Sequence, residues 1–426
     1  MYGQPLRLDQ LLRETVERNP LVEAARARVS AARGSRVTAG TLQNPVLTYQ
    51  VENAAFPGRG ASPGMLQETS SFTTIPLEPL WQRNPRVQRA DEDVRAAEAD
   101  LAAVRHQVAG NLARSFFRVS LAQVSARAAA DVEEGLDSLV RYTSTRVREG
   151  AAAEGDLIRL QVEQDRATTE KVLQQAELAQ ARAALAPFLN DSVGISRSME
   201  IVVAMDDTLP MGSPILPPAN AFLARALASR PDLLAARARA RAADAETALQ
   251  RTLLVRNLGA TFGSKRTAGV SSMIAGLSIP FPLFDQNRGE VQRATGERLA
   301  VERELVWMER QASAEVAGAY EAAQMLTNQL ASLQSRFLSR ATEARRIAVA
   351  AYQEGAVPLL QVIDATRTLA EARITYYRTL YARHQALLNL YIAAGLDPAD
   401  ALSMTPPSTG SSDESRGATP AAREKN

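Results

Sequence analysis

Few residues in this chain of 426 are of types that do covalent chemistry. There is no cysteine, hence no thiol nucleophile, disulfide or thiolate metal site. The two histidines, His106 and His384, are far apart and isolated, whereas a bound metal needs clustered ligands; each reads as a packed or exposed helical residue. The nine methionines form no Met-x-x-Met pair, and no Ser/His/Asp set, phosphate-cradling glycine loop or His-Glu-x-x-His run occurs. The 47 carboxylates largely alternate with arginine, the pattern of solvated helix faces. Neither catalysis nor a bound metal or cofactor is expected. What remains is a glycine-centred turn that occurs twice.

One copy runs Val147-Arg-Glu-Gly150-Ala151 and continues to Asp156; the other runs Tyr352-Gln-Glu-Gly355-Ala356 and continues through Gln361 to Asp364. Glu149-Gly150-Ala151 falls on Glu354-Gly355-Ala356 at an offset of 205 residues, and the same offset carries Asn190 onto Gly395. Bare backbone at such a turn either closes a tight helical hairpin or lets another helix end approach closely. Asp156 and Asp364 stand near the starts of the helices that follow, where a carboxylate is also favoured by the helix dipole alone.

The elements that must position these turns are helical and duplicated. The 46% hydrophobic content is rich in alanine and only 5% of residues are aromatic, a composition for long helices packed through small side chains. A net charge of +2 argues against a nucleic-acid binder. Leu8 to about Ala39 reads as one amphipathic helix with Asn19-Pro20 near its start, and its counterpart begins near Ala219 with Arg230-Pro231. After each, the period drops to two. Leu47, Tyr49 and Val51 share a face, as do Leu258, Ala260 and Phe262, and Met273, Ala275, Leu277 and Ile279. With the Thr/Ser-rich stretch Glu68–Ile75 these predict four strands of membrane-spanning length, joined in pairs by loops over 54–67 and 266–269.

Both pairs end on a proline corner, Ile75-Pro-Leu-Glu-Pro and Ile279-Pro-Phe-Pro, and Val87-Gln-Arg-Ala90 repeats as Val291-Gln-Arg-Ala294. From Asn84 to Arg148 the pattern runs on for about 65 residues, roughly 100 Å of helix. Val94, Ala97, Leu101, Val104, Val108, Leu112, Phe116 and Val119 form a heptad-like seam, and so do Leu326, Leu330, Leu333, Phe337, Ala341, Ala344, Ala348 and Ala351. Return helices are predicted over 155–187 and 358–394. The division expected is a first repeat over 1–190, a linker over 191–218, a second repeat over 219–396 and a disordered tail over 397–426. No run of 18 apolar residues exists. No signal peptide is visible behind Met1, which leaves a cytosolic protein or one whose signal lies outside these residues.

Helix, strand pair, very long helix, glycine tip and return helix, all twice, resemble the TolC-like outer membrane efflux protein family over about Leu6–Leu396. Gln43-Asn-Pro45 through Glu52-Asn53 resembles its cation-efflux, CzcC-like branch; Ser278-Ile-Pro-Phe-Pro-Leu-Phe-Asp-Gln-Asn287 is the most specific match. The resemblance implies a mostly α fold with a small β part. Its hairpins would form an α-barrel tunnel across the periplasm, with four strands per chain in a homotrimeric twelve-stranded transmembrane β-barrel. It implies a passive exit duct in the bacterial outer membrane for heavy-metal cations, fed by an inner-membrane RND pump through a periplasmic adaptor. The adaptor would dock at Val147, Gly150, Ala151, Tyr352, Gly355 and Ala356. Asp364 would line the closed aperture, with Gln361 where some members carry a second acid, and Asp156 would face an arginine whose position is Val357 here. Export of drugs or organic solutes, or type I secretion, is the rival within this class; a soluble coiled-coil scaffold is the rival outside it.

Overall fold

The computed structural model describes residues 6–54, 66–77, 80–189, 216–254 and 258–398. The expected linker therefore lies outside the described residues apart from 216–218, and the expected tail apart from 397 and 398. In the first half, α1 (Leu8–Thr15), a single 3-10 turn, α2 (Pro20–Gly40), β1 (Val46–Glu52), β2 (Glu68–Leu77), α3 (Leu80–Arg148) and α4 (Glu154–Leu185) follow in order. In the second half come α5 (Ala219–Ser229), α6 (Pro231–Thr252), β3 (Leu258–Thr267), β4 (Val270–Ser278), α7 (Arg288–Ser332), a π-helical turn (Leu333–Leu338), α8 (Ser339–Gln353) and α9 (Leu359–Ala393).

Three expectations need correction. The first helix is two helices: Asn19 leaves the helical region and caps α2, its Oδ1 accepting from the Leu21 N–H at 3.0 Å, while Pro20 supplies the fixed φ of a first helical turn. The long helix α3 starts four residues earlier than Asn84 and carries Pro85 inside its second turn, where the missing N–H removes one i→i−4 bond near the helix start. The second heptad seam breaks at the π turn. Its extra residue rotates the helix, so Phe337 and Ala344 are exposed, and the covered positions become Leu338, Ala341, Arg345, Ala348 and Tyr352. The first seam stands, half-covered at Val94–Val104 and fully buried from Val108 to Val119 apart from the intervening turns.

The four strands form one antiparallel sheet in the order β1-β2-β3-β4. Leu47, Thr73, Phe262 and Ala275 lie in one cross-strand row, so the apolar positions read from the sequence share one face. Along β3 that face is exposed at Phe262, Ser264 and Arg266, whereas Thr261, Gly263, Lys265 and Thr267 are partly shielded. The sheet thus has one largely apolar, exposed face and a more polar opposite face, where Glu68 pairs with Lys265. β3 and β4 join at Ala268-Gly269, both at positive φ (51° and 85°), a tighter turn than the four-residue loop expected.

Below the sheet the helices lie side by side as a ribbon. Near the strands the order is α2-α3-α6-α7; toward the glycine turns it is α4-α3-α9 followed by α7 and α8. The thick core sits where the two layers meet. Leu8, Leu11 and Leu12 of α1, Leu112, Phe116 and Phe117 of α3, Phe222 of α5 and Leu387, Leu388 and Leu390 of α9 are buried there. The helix end at Gly395 (φ 71°) is pressed so close to Arg230 that a Cβ would lie 2.9 Å from its Cα. His106 Nε2 bonds the Leu396 carbonyl at 2.7 Å across the same junction.

His384 is 3% exposed among Phe117 and Tyr381, and its Nδ1 is buried with no hydrogen-bond partner. Burial, aided by the Arg383 charge, lowers its pKa to about 4 from 6.5. The unfolded chain thus binds the extra proton first, so stability falls as pH drops from about 6.5 to about 4, by roughly 3 kcal/mol at most. Thermal melts at pH 7.5 and pH 5 should show about 2 kcal/mol of that loss in the wild type and a much smaller one in His384→Phe; equal losses would remove His384 as the cause.

Candidate functional site at the helix tips

The two glycine turns close identically. The Ala151 N–H donates to the Arg146 carbonyl (2.8 Å) and the Gly150 N–H to that of Val147 (3.0 Å); Ala356 and Gly355 do the same to Ala351 (2.8 Å) and Tyr352 (3.0 Å). This paired bonding satisfies the last carbonyls of α3 and α8 and requires a left-handed residue, here Gly150 at φ 73° and Gly355 at φ 75°. A Cβ at either glycine would meet nothing within 4 Å. Glycine is demanded by the backbone angle rather than by crowding, and both tips, with Ala151 and Ala356, are open to solvent.

Behind the tips a small separate core joins all four helix ends. Leu136, Leu139, Leu160, Tyr352, Leu359, Val362 and Ile363 are buried together, with Val357 packed against them. Tyr352 stacks edge-on against Tyr142 with ring centres 6.3 Å apart, and its hydroxyl meets the buried Thr143 hydroxyl at 3.3 Å. Val147, at the equivalent place in the first repeat, is only half-buried and lies outside this core. The turn is thus symmetric in backbone and asymmetric in packing.

The carboxylates separate. Asp364 and Gln361 are exposed on α9, and the Asp364 carboxylate makes no ion pair or hydrogen bond among the described residues. Asp156 pairs loosely within its own helix, 3.9 Å from Arg159, and does not reach the other hairpin. The link between hairpins lies two turns further up and was not legible in advance. Arg367 of α9 grips Glu163 of α4 through both oxygens, at 2.5 and 3.2 Å, and Arg166 adds a third contact at 3.0 Å. The Arg367 guanidinium holds the Glu163 carboxyl below its ordinary range. The signal that could have found the pair is the duplication itself, since 163 and 367 differ by almost the repeat offset of 205.

A family profile described as outer membrane efflux protein matches residues 11–191 and 222–396, one match in each half. The chain belongs to the outer membrane efflux protein family. That places this efflux protein at the bacterial outer membrane, its long helices extending into the periplasm. It is 27% identical over 397 residues to the cobalt-zinc-cadmium resistance protein CzcC of Cupriavidus metallidurans, covering 90% of this chain and 88% of that one. It is 25% identical over 427 residues to the pyoverdine export outer membrane protein OpmQ of Pseudomonas aeruginosa, covering 92% and 86%. Its fold matches the crystal structure of CusC with a TM-score of 0.76 at 21% identity, over 91% of this chain and 92% of that one. As in that fold, a helical tunnel segment carries a small sheet. Among the described residues no helix is long and apolar enough to cross a membrane, and no group of three or more acidic, histidine or cysteine residues could hold a metal ion.

Because Gly355 is fixed by its φ, Gly355→Ala should lower stability by about 1–2 kcal/mol. Gly155 lies in the first turn of α4 with open space around it, so Gly155→Ala should be neutral or slightly stabilising. Melting curves of the two variants check this; equal destabilisation would show that the tip glycine has no special role.

Proposed function

We propose that three copies of this chain close into the passive exit duct of a tripartite efflux system. An RND-type inner-membrane pump supplies the energy, and a periplasmic adaptor docks at the tips. The observation that carries this reading is the open sheet. β1 and β4 are unpaired edges on a sheet with one exposed, largely apolar face, and lipid offers no hydrogen bonds to an edge. Closure between copies removes the edges. Two copies would give eight strands, a barrel whose interior side chains fill; three give twelve and leave a lumen. The same threefold closure turns the helical ribbons into a tunnel. The two repeats, 1–190 and 219–396, then contribute equivalent walls, and the chain needs no cofactor and catalyses nothing.

The adaptor reading rests on Gly150, Ala151, Gly355 and Ala356 as exposed bare backbone, held by Tyr352 and, more weakly, Val147. Asp364, without an ion pair among the described residues, suits an acidic ring at the aperture with Gln361 beside it; Asp156 lies on the facing hairpin. Rings of like charge select ions in pores. The Glu163–Arg367 clasp ties the hairpins together, so that the aperture moves as one unit per chain. The resemblance to CzcC supports metal cations as cargo; the resemblance to OpmQ, at greater coverage of this chain, supports an organic solute as the second reading.

Light scattering of the detergent-extracted protein should give about 138 kDa of protein, three times the 46.0 kDa chain. A monomer or dimer left in the aqueous fraction would sink the duct and promote the coiled-coil scaffold. Ala356→Trp adds bulk at the tip without touching the glycine angle. It should leave the trimer intact and abolish efflux; efflux at the wild-type rate would remove the docking role.

A further inference from the structure

Halfway along the duct, at the level of the thick core, a groove of about 430 Å³ opens between α3, α4 and α9. Arg114 and Arg118 of α3 and Arg378 of α9 line it, with Ser115 and Gln385 beside them. We propose that this groove is an anion-binding belt on the inner wall, which takes the carboxylate or phosphate groups of solutes in transit. The inference rests on the exit-duct reading and, of its two cargo readings, favours the organic solute over a bare metal cation.

The groove faces away from the appended helices. On α3, Arg105 bonds Glu17 of the 3-10 turn at 3.0 Å, and Leu112 and Phe116 are buried with α1. Arg114 comes nine residues after Arg105, two and a half turns on, and so points from the opposite side. On α9, Tyr391 packs beneath Phe222 of α5 with ring centres 6.3 Å apart, and Ala382 of the groove lies nine residues before it. α1 and α5 would fill the lumen if they sat inside a closed tunnel, so they belong outside. The groove then lies inside.

Its charges are unbalanced. Arg114 is half-buried yet bonds only neutral amides, Asn111 Oδ1 at 2.8 Å and Asn389 Oδ1 at 3.2 Å. Burial with no carboxylate to offset it pulls the Arg114 guanidinium below its ordinary range. Arg378 has no ion pair or hydrogen bond among the described residues. Only Arg118 is matched, by Glu177 at 2.8 Å. Glu315 borders the adjoining space, but its carboxylate is held by Arg230 at 2.6 Å. Among the described residues Arg378 is therefore unpaired and Arg114 is held by neutral amides alone, so neither charge is offset by a carboxylate, and their planar forks match carboxylate and phosphate geometry. Three chains would set six such groups in one belt, which disfavours a bare divalent cation there and favours anionic solutes.

The test uses the purified full-length trimer in planar bilayers, with inorganic pyrophosphate as the probe in the periplasmic-side chamber. The wild type should conduct and be blocked. In the Arg114→Gln/Arg378→Gln double variant the half-blocking concentration should rise roughly tenfold or more. Its reversal potential in a KCl gradient should move toward cation selectivity. An Arg13→Gln/Arg18→Gln double variant, on the outer α1 side, removes the same charge and should block like the wild type. If the groove variant conducts with unchanged sensitivity, or the outer variant loses block equally, the belt is wrong while the duct stands. A wild type that stays a monomer or dimer would remove the duct and the belt together.

Discussion

The unpaired backbone of β1 and β4 is the constraint on which the rest of the molecule turns. An edge strand presents a row of N–H and C=O groups, each of which costs several kcal/mol if left unbonded in hydrocarbon. A sheet with an exposed apolar face can neither stay open in lipid nor cover its own edges with four strands. The helices below share the problem in milder form. Ile158, Val162, Val172 and Leu173 of α4, and Leu299, Val306, Trp307 and Ile347 of α7 and α8, are large apolar side chains exposed on the outermost helices of the ribbon. Sheet and ribbon are therefore unfinished along the same two borders, and one lateral closure completes both.

Stability within the single chain comes from two cores far apart along the ribbon. The thicker one, around Phe116, Phe117 and Leu387, locks α1 and α5 against the ribbon; the thinner one, around Tyr352 and Leu160, locks the tips. Between them lies only a small cluster of Ala341, Leu369 and Ala372 among the described residues, and the π turn at Leu333–Leu338 lies in this stretch. A helix pair that is pinned at both ends and lightly packed in between can bend without unfolding either core. Conserving the tip as a unit while the middle flexes is a natural division of labour for a duct whose lower end must open.

Charge is arranged along the length rather than clustered for catalysis. Most ion pairs are exposed and lie across neighbouring helices, such as Arg33–Glu98 and Arg239–Asp100, where each contributes little to stability but helps to set helix register. The exceptions are the Glu163–Arg367 clasp near the tips, the Asp364 carboxylate, which has no ion pair among the described residues, and the arginines of the equatorial groove.

The sequence by itself determined the features that are periodic or local. Alternation at Leu47–Val51 and Leu258–Phe262 marked the strands and the face each presents, because a strand's side-chain period is two whatever it pairs with. Gly150 and Gly355 marked the tips, because a left-handed helix end needs glycine wherever it occurs. Repetition of both patterns in the two halves of the chain disclosed the duplicated architecture and the family. Tertiary structure alone decided which strand lies beside which, since β2 pairs with β3 across the two halves of the chain, and which acid meets which arginine, since Glu163 and Arg367 are joined only by packing. It also moved the second seam by one residue at the π turn and brought Arg114, Arg118 and Arg378 to one groove. Each of these depends on contacts between residues far apart in sequence, and local preference carries no information about a partner that the chain meets only after it has folded.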